Sequence, residues 1–114
     1  MRIPPPVPVL AQIDTGTHRS GIDVRVLRDL ELDGEVDIEN VFTSSTADEP
    51  HPCPVYLADL TLVSPGGNRP FGTLRVLAHT FGEAEQARAT LGRDLLAYCC
   101  LEYLGPQGSF RLAF

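Results

Sequence analysis

The stretch Val7-Pro8-Val9-Leu10-Ala11-Gln12-Ile13-Asp14-Thr15-Gly16-Thr17 decides the fold. The apolar run from Val7 to Ile13 reads as a strand, and it delivers an aspartate at its end. A carboxylate in that position must be paired, hydrogen-bonded or functional, because burying it alone costs several kcal/mol or drives its pKa up. Gly16, two residues on, permits a sharp turn or a close backbone approach. Alone, Asp14-Thr15-Gly16 also fits an ordinary turn after a strand. A second stretch far downstream adds specificity: Leu91-Gly92-Arg93-Asp94-Leu95-Leu96, followed by Leu101-Glu102-Tyr103 and Gly108-Ser109-Phe110-Arg111-Leu112.

In this order, these residues resemble the retropepsin-like aspartic proteases, in particular the single-domain bacterial proteins of that type. In that family an apolar strand leads into Ile-Asp-Thr-Gly-Ala/Thr, with a Ser six positions after the Asp. An Ile-Gly-Arg-Asp/Asn stretch then enters a short helix near the C-terminus. The matching residues here are Ile13-Asp14-Thr15-Gly16-Thr17, Ser20, Ile22 and Leu91-Gly92-Arg93-Asp94, and the resemblance spans roughly residues 7–114.

The resemblance implies an all-β half-barrel with one or two short helices, expected as a C2 homodimer. Members use two Asp-Thr/Ser-Gly loops, whereas this chain has one, so a second copy must supply the other. It implies Asp14 as the catalytic residue, with Thr15, Gly16, Thr17, Ser20, Gly92, Arg93 and Asp94 supporting its loop. Thr15 would hydrogen-bond across the two-fold axis, and Gly16 would give its N–H to the carboxylates. Thr17 would add a donor of the kind that goes with a lower dyad pKa. In many viral members the Arg pairs with an acid four residues after the catalytic Asp. Here that position is His18, so Asp94 is expected to meet His18 or Arg19 instead. The plainer reading of Arg93-Asp94 is a helix-start pair, with negative charge favoured near the N-terminus.

The family's flap maps onto a hairpin with arms Val36–Thr46 and Val55–Val63, and Ser45, Thr46, Ala47 and Asp48 are the expected substrate-covering residues. The tip, 47–54, holds three prolines, two acids and no glycine. Viral tips carry several glycines, so a stiffer or more open cover is implied; an ordinary exposed loop is the other reading. The activity implied is hydrolysis of extended peptide or protein substrates, using a water activated between two Asp14 carboxylates. It requires no metal, cofactor or covalent intermediate. The competing function is a non-catalytic dimerisation or peptide-binding module of the same fold.

Composition bounds the alternatives. At 114 residues the chain is expected to be one small domain, 1–114. Nine basic residues, all arginine, face fifteen acids, which argues against a nucleic-acid partner. Apolar runs are too short for a membrane-spanning helix. Met1-Arg2-Ile3-Pro4-Pro5-Pro6 lacks the features of a secretory signal, so a cytoplasmic location is expected. Cys53, Cys99 and Cys100 do not make a disulfide framework and fit reduced thiols. His18, His51 and His79 are scattered at no ligand spacing.

Along the chain, Ser20-Gly21-Ile22-Asp23 has the shape of a capping box, and Ile22, Val26, Leu27 and Leu30 follow at helical spacing. This predicts a helix over 21–30, with a strand as the competitor because Ile22, Val24 and Val26 are β-branched. Ser64-Pro65-Gly66-Gly67-Asn68 is a turn, and Phe71–Phe81 a strand. Residues 82–89 read as a loop and Thr90-Leu91-Gly92 as a short strand. A helix over 94–100 should bury Leu95, Leu96, Tyr98 and Cys99. Leu101–Leu104 and Ser109–Phe114 form a closing hairpin. Phe110, Leu112 and Phe114 alternate along its second strand, the expected dimer contact.

Overall fold

The computed structural model describes residues 4–32, 34–41 and 49–114; the expected flap residues Ser45, Thr46, Ala47 and Asp48 lie outside the described residues. Among the described residues the chain is mostly β, with two short α-helices. The elements are β1 (Leu10–Ile13), β2 (Gly21–Asp23), α1 (Val24–Asp29), β3 (Asp37–Val41), β4 (His51–Ser64), β5 (Gly67–His79), β6 (Ala87–Leu91), α2 (Arg93–Leu96), β7 (Cys100–Leu104) and β8 (Ser109–Ala113). Six strands form one sheet, curled into a half-barrel, in the order β1-β6-β2-β5-β4-β3. No helix among the described residues is long and apolar enough to cross a membrane.

The strand order positions the site. β1 and β2 are consecutive in sequence, yet β6 lies between them, parallel to β1 and antiparallel to β2. Residues 14–20, which join β1 to β2, must therefore pass over the end of β6, where Leu91 gives way to Gly92.

Side-chain alternation along β4 and β5 gives the sheet two apolar faces. Val55 and Leu77 bury one face with Cys53 and Val41. Ala58, Val76 and Ala78 bury the other, beneath Ile22, Ala89 and the Val26 and Leu27 side chains of α1. A six-residue helix is unstable alone. Burial of Val26 and Leu27 holds α1 to the sheet, at about 1.5–3 kcal/mol for each side chain.

Several boundaries differ from expectation, each for a physical reason. The first strand begins at Leu10 rather than Val7, because Pro4, Pro5, Pro6 and Pro8 have no N–H for a ladder. The expected helix over 21–30 is divided. Gly21–Asp23 is a strand paired on both edges, and helix starts only at Val24. Asp23, not Ser20, caps it by accepting from the Arg25 N–H. β4 starts at His51, earlier than expected. Pro52 and Pro54 are tolerated because pairing with β5 begins only at Val55. Strand β6 takes up the last part of the expected 82–89 loop. The helix expected over 94–100 is the single turn Arg93–Leu96. Leu95 is buried, but Tyr98 is 65% exposed rather than part of an apolar face.

Among the described residues, β7 and β8 pair only with each other. Their register sets Tyr103 opposite Phe110 and Leu101 opposite Leu112, so these four share one face, while Glu102 and Arg111 share the other. Tyr103 is 78% exposed and Phe110 58%. An isolated two-stranded hairpin is marginal in water, and this one presents an uncovered apolar face.

Candidate active site

Asp14 emerges from β1 at the point where its N–H donates to the Leu91 carbonyl of β6, at 3.0 Å. Its side chain is exposed. Carboxylate Oδ1 accepts the Gly16 N–H at 2.9 Å. A Cβ at Gly16 would lie 3.1 Å from that oxygen, so glycine lets the loop fold tightly around the acid. The Thr17 N–H closes the turn onto the Asp14 carbonyl at 3.4 Å, and the Thr17 hydroxyl donates to the Arg19 carbonyl at 3.2 Å.

The downstream stretch grips this loop from beneath. The N–H groups of Arg93 and Asp94 donate to the Thr17 and His18 carbonyls at 2.9 and 3.1 Å. The Arg93 guanidinium donates to the Thr15 carbonyl at 3.0 Å. Buried Ser20 joins the two stretches. Its N–H and hydroxyl both donate to the Asp94 carboxylate, the hydroxyl at 2.8 Å, while its Oγ accepts the Gly92 N–H at 3.0 Å. A Cβ on Gly92 would stand 2.7 Å from the Arg19 carbonyl carbon and 2.9 Å from its oxygen, so only glycine fits without displacing the loop.

Of the eight residues singled out in the sequence for the catalytic loop, the structure brings together seven: Asp14, Gly16, Thr17, Ser20, Gly92, Arg93 and Asp94. The eighth, Thr15, joins through its backbone alone. One expectation is corrected. The Asp94 carboxylate meets Ser20, not the side chain of His18 or Arg19. Its position at the start of α2 aims it at the Ser20 N–H, and Arg19 is engaged elsewhere, with Glu39.

Asp14 opens onto a cleft of about 960 Å³ on the sheet face that carries Val41 and Leu77. Its far side is formed by Leu77, His79, Phe81 and Glu85 from the end of β5 and the loop beyond. The sequence reading missed this wall. The alternation of Leu77, His79 and Phe81 opposite Val76 and Ala78 was the available signal. The His79 ring packs so closely on Gly21 that a Cβ there would fall 2.2 Å from it. Its edge also meets the Phe81 ring at 85°. Burial, helped by the nearby His51 charge, lowers the His79 pKa, favouring a neutral ring.

Behind the wall sits Asp23, fully buried. Arg25 binds it through two guanidinium nitrogens and donates onward to the Phe81 carbonyl at 2.9 Å. These bonds outweigh the cost of burial and hold the Asp23 carboxyl at about 2. Burial raises the pKa of the Cys53 thiol, which donates to the Ala78 carbonyl at 3.1 Å. Such a thiol is a packing group, not a nucleophile. Among the described residues no cluster of His, Cys, Asp or Glu side chains is arranged to hold a metal ion.

Chemically, the arrangement presents a solvent-facing carboxylate, seated by the Gly16 N–H, beside an open cleft. Comparison of the chain with protein-family models, with curated proteins and with solved structures returns no match.

Proposed function

We infer that this chain is one half of a homodimeric aspartic endopeptidase of the retropepsin-like kind. The observation that carries the reading is the seating of Asp14. Its carboxylate is held by the Gly16 N–H on a loop gripped by Gly92, Arg93, Asp94 and Ser20, and it faces the cleft.

One carboxylate does not suffice for this chemistry. Two that share a proton can hold a water between them. The ionised group takes a proton from the water as it attacks the peptide carbonyl, and the protonated group gives its proton to the carbonyl oxygen. The roles then exchange as the amine leaves. Like charges a few Å apart do not both ionise cheaply, so one pKa falls and the other rises. The partner in this reading is Asp14 of the partner subunit. The uncovered face of Leu101, Tyr103, Phe110 and Leu112 supports it, because a second copy would bury that surface and complete a marginal hairpin. A substrate would lie extended in the cleft, with main-chain hydrogen bonds giving affinity and alternate side chains giving selectivity.

The test is cleavage of a mixed peptide library between about pH 4 and 8 by the wild type and by Asp14→Asn. Cleavage by the wild type alone, strongest in mild acid where the pair holds one proton, is expected. Equal cleavage by both would end the reading. A folded dimer that cleaves nothing but retains peptides would instead be the non-catalytic binding module.

A further inference from the structure

The Asp14 loop is gripped from beneath through its backbone, but it also sends one side chain outward. Arg19 reaches Glu39 on β3 through two parallel hydrogen bonds, Nε to Oε2 at 2.6 Å and Nη2 to Oε1 at 2.5 Å. The two side chains are only 23% and 24% exposed. A bidentate, partly desolvated pair of this kind is stronger and better defined in geometry than an ordinary surface ion pair.

Its position in the topology gives it a purpose. β3 is the sheet edge opposite β1, the strand that delivers Asp14. The Ser20 carbonyl accepts from Leu77 on β5, Leu77 stands opposite Val55 on β4, and Val55 stands opposite Asp37 on β3. Those three steps separate the loop from β3 by about 14 Å, a span that two long side chains meeting end to end can bridge. The pair lies over the sheet face on which Val55 and Leu77 are buried, since Glu39 stands opposite Cys53 of the same buried cluster. Neither residue touches the reacting carboxylate. What they join is the Asp14 loop and the β3–β4 arm that borders the cleft through Asn40 and Val41.

We propose that the Arg19–Glu39 pair is a strut that fixes the β3–β4 arm relative to the Asp14 loop and so sets the width at which the cleft admits an extended peptide. This rests on the protease reading of the cleft. Arg19 and Glu39 are positioning residues. Asp14 keeps its own anchors at Leu91, Gly92, Arg93 and Asp94 when the strut is lost, so the chemical step is preserved and the loss falls on substrate binding. Removing binding shared by ground and transition states raises KM and leaves kcat in place.

Two variants test the strut: Glu39→Gln, which keeps shape and removes charge, and the exchange Arg19→Glu with Glu39→Arg, which restores the pair reversed. On a library peptide that the wild type cleaves, Glu39→Gln should raise KM about three- to tenfold with kcat within about twofold. The exchange should recover most of that loss. Amide exchange supplies a readout independent of activity. Residues 37–41 should exchange faster in Glu39→Gln and return in the double variant, while the amides of Asp14 and Leu95 stay unchanged. If the wild type cleaves but neither KM nor exchange responds, or the double variant is no better than the single one, the strut is overturned and the protease reading stands. If the wild type cleaves nothing while the exchange pattern appears as described, the protease reading falls and the strut stands.

Discussion

Replacing Gly92 by alanine places a methyl carbon against peptide atoms on the far side of the Asp14 loop. The distances are 2.7 Å to the Arg19 carbonyl carbon, 2.9 Å to its oxygen and 3.0 Å to the Ser20 nitrogen. All three are backbone atoms, so no side chain can swing aside. The loop must move, at a cost of about 1–3 kcal/mol for overpacking. Movement also stretches the bonds that Ser20 makes with Gly92 and Asp94, and losing one of them adds about 1 kcal/mol. The sum, about 2–4 kcal/mol, is a large share of the roughly 5–15 kcal/mol that holds a small domain together. At about 4 °C for each kcal/mol, thermal unfolding should fall by about 8–16 °C. Gly82→Ala is the control. Its Cβ would meet only the flexible Glu85 side chain at 3.9 Å, so its stability should stay within about 0.5 kcal/mol of the wild type. Differential scanning calorimetry of the three proteins decides. A Gly92→Ala protein that melts with the wild type and with Gly82→Ala would refute the close seating of the loop on the β6–α2 step.

Two further outcomes follow from the structure. Asp23 titrates at about 2 in the folded chain against an ordinary 3.8, so its stabilisation is complete above about pH 4 and lost as pH falls toward 2; Asp23→Asn should be less stable by about 1–3 kcal/mol near neutrality and show a flatter decline in urea midpoint across that acid range, and an unchanged profile would contradict the role given to the Asp23–Arg25 pair. Phe110→Glu puts a charge on the uncovered face of the β7–β8 hairpin, so if the proposed dimer forms through that face, sedimentation should show a dimer for the wild type and monomers for the variant, and a fully dimeric variant would place the interface elsewhere.

What could be read from the sequence was whatever local pattern controls. The Asp14 turn, the Gly92 step, the Ser64–Asn68 turn and the closing hairpin all appear because glycine, proline and alternation act over a few residues. The boundaries that moved were those set by distant partners. Ser20 resembles a helix cap, but its hydroxyl serves Asp94 and Gly92, more than seventy residues away, and no local pattern reveals that preference. Residues 87–89, Ala-Arg-Ala, have weak strand propensity and become a strand because they fill the gap between β1 and β2. The Arg19–Glu39 contact depends on the strand order, which places β3 three strand positions from β2, a property of the whole sheet. His79 and Phe81 were visible as residues of a strand, but only the fold turns their face toward Asp14.

The central claim is that each catalytic site uses one Asp14 from each of two chains, and the most direct measurement is a mixing experiment. Wild-type chains and Asp14→Asn chains are combined in equal amounts, allowed to exchange partners, and assayed on one cleavable peptide in mildly acidic buffer. If both carboxylates are required, only pairs of wild-type chains are active, so activity should fall to about a quarter of that of the same total amount of wild type. Activity of about half, as expected if each chain worked by itself, would contradict the account.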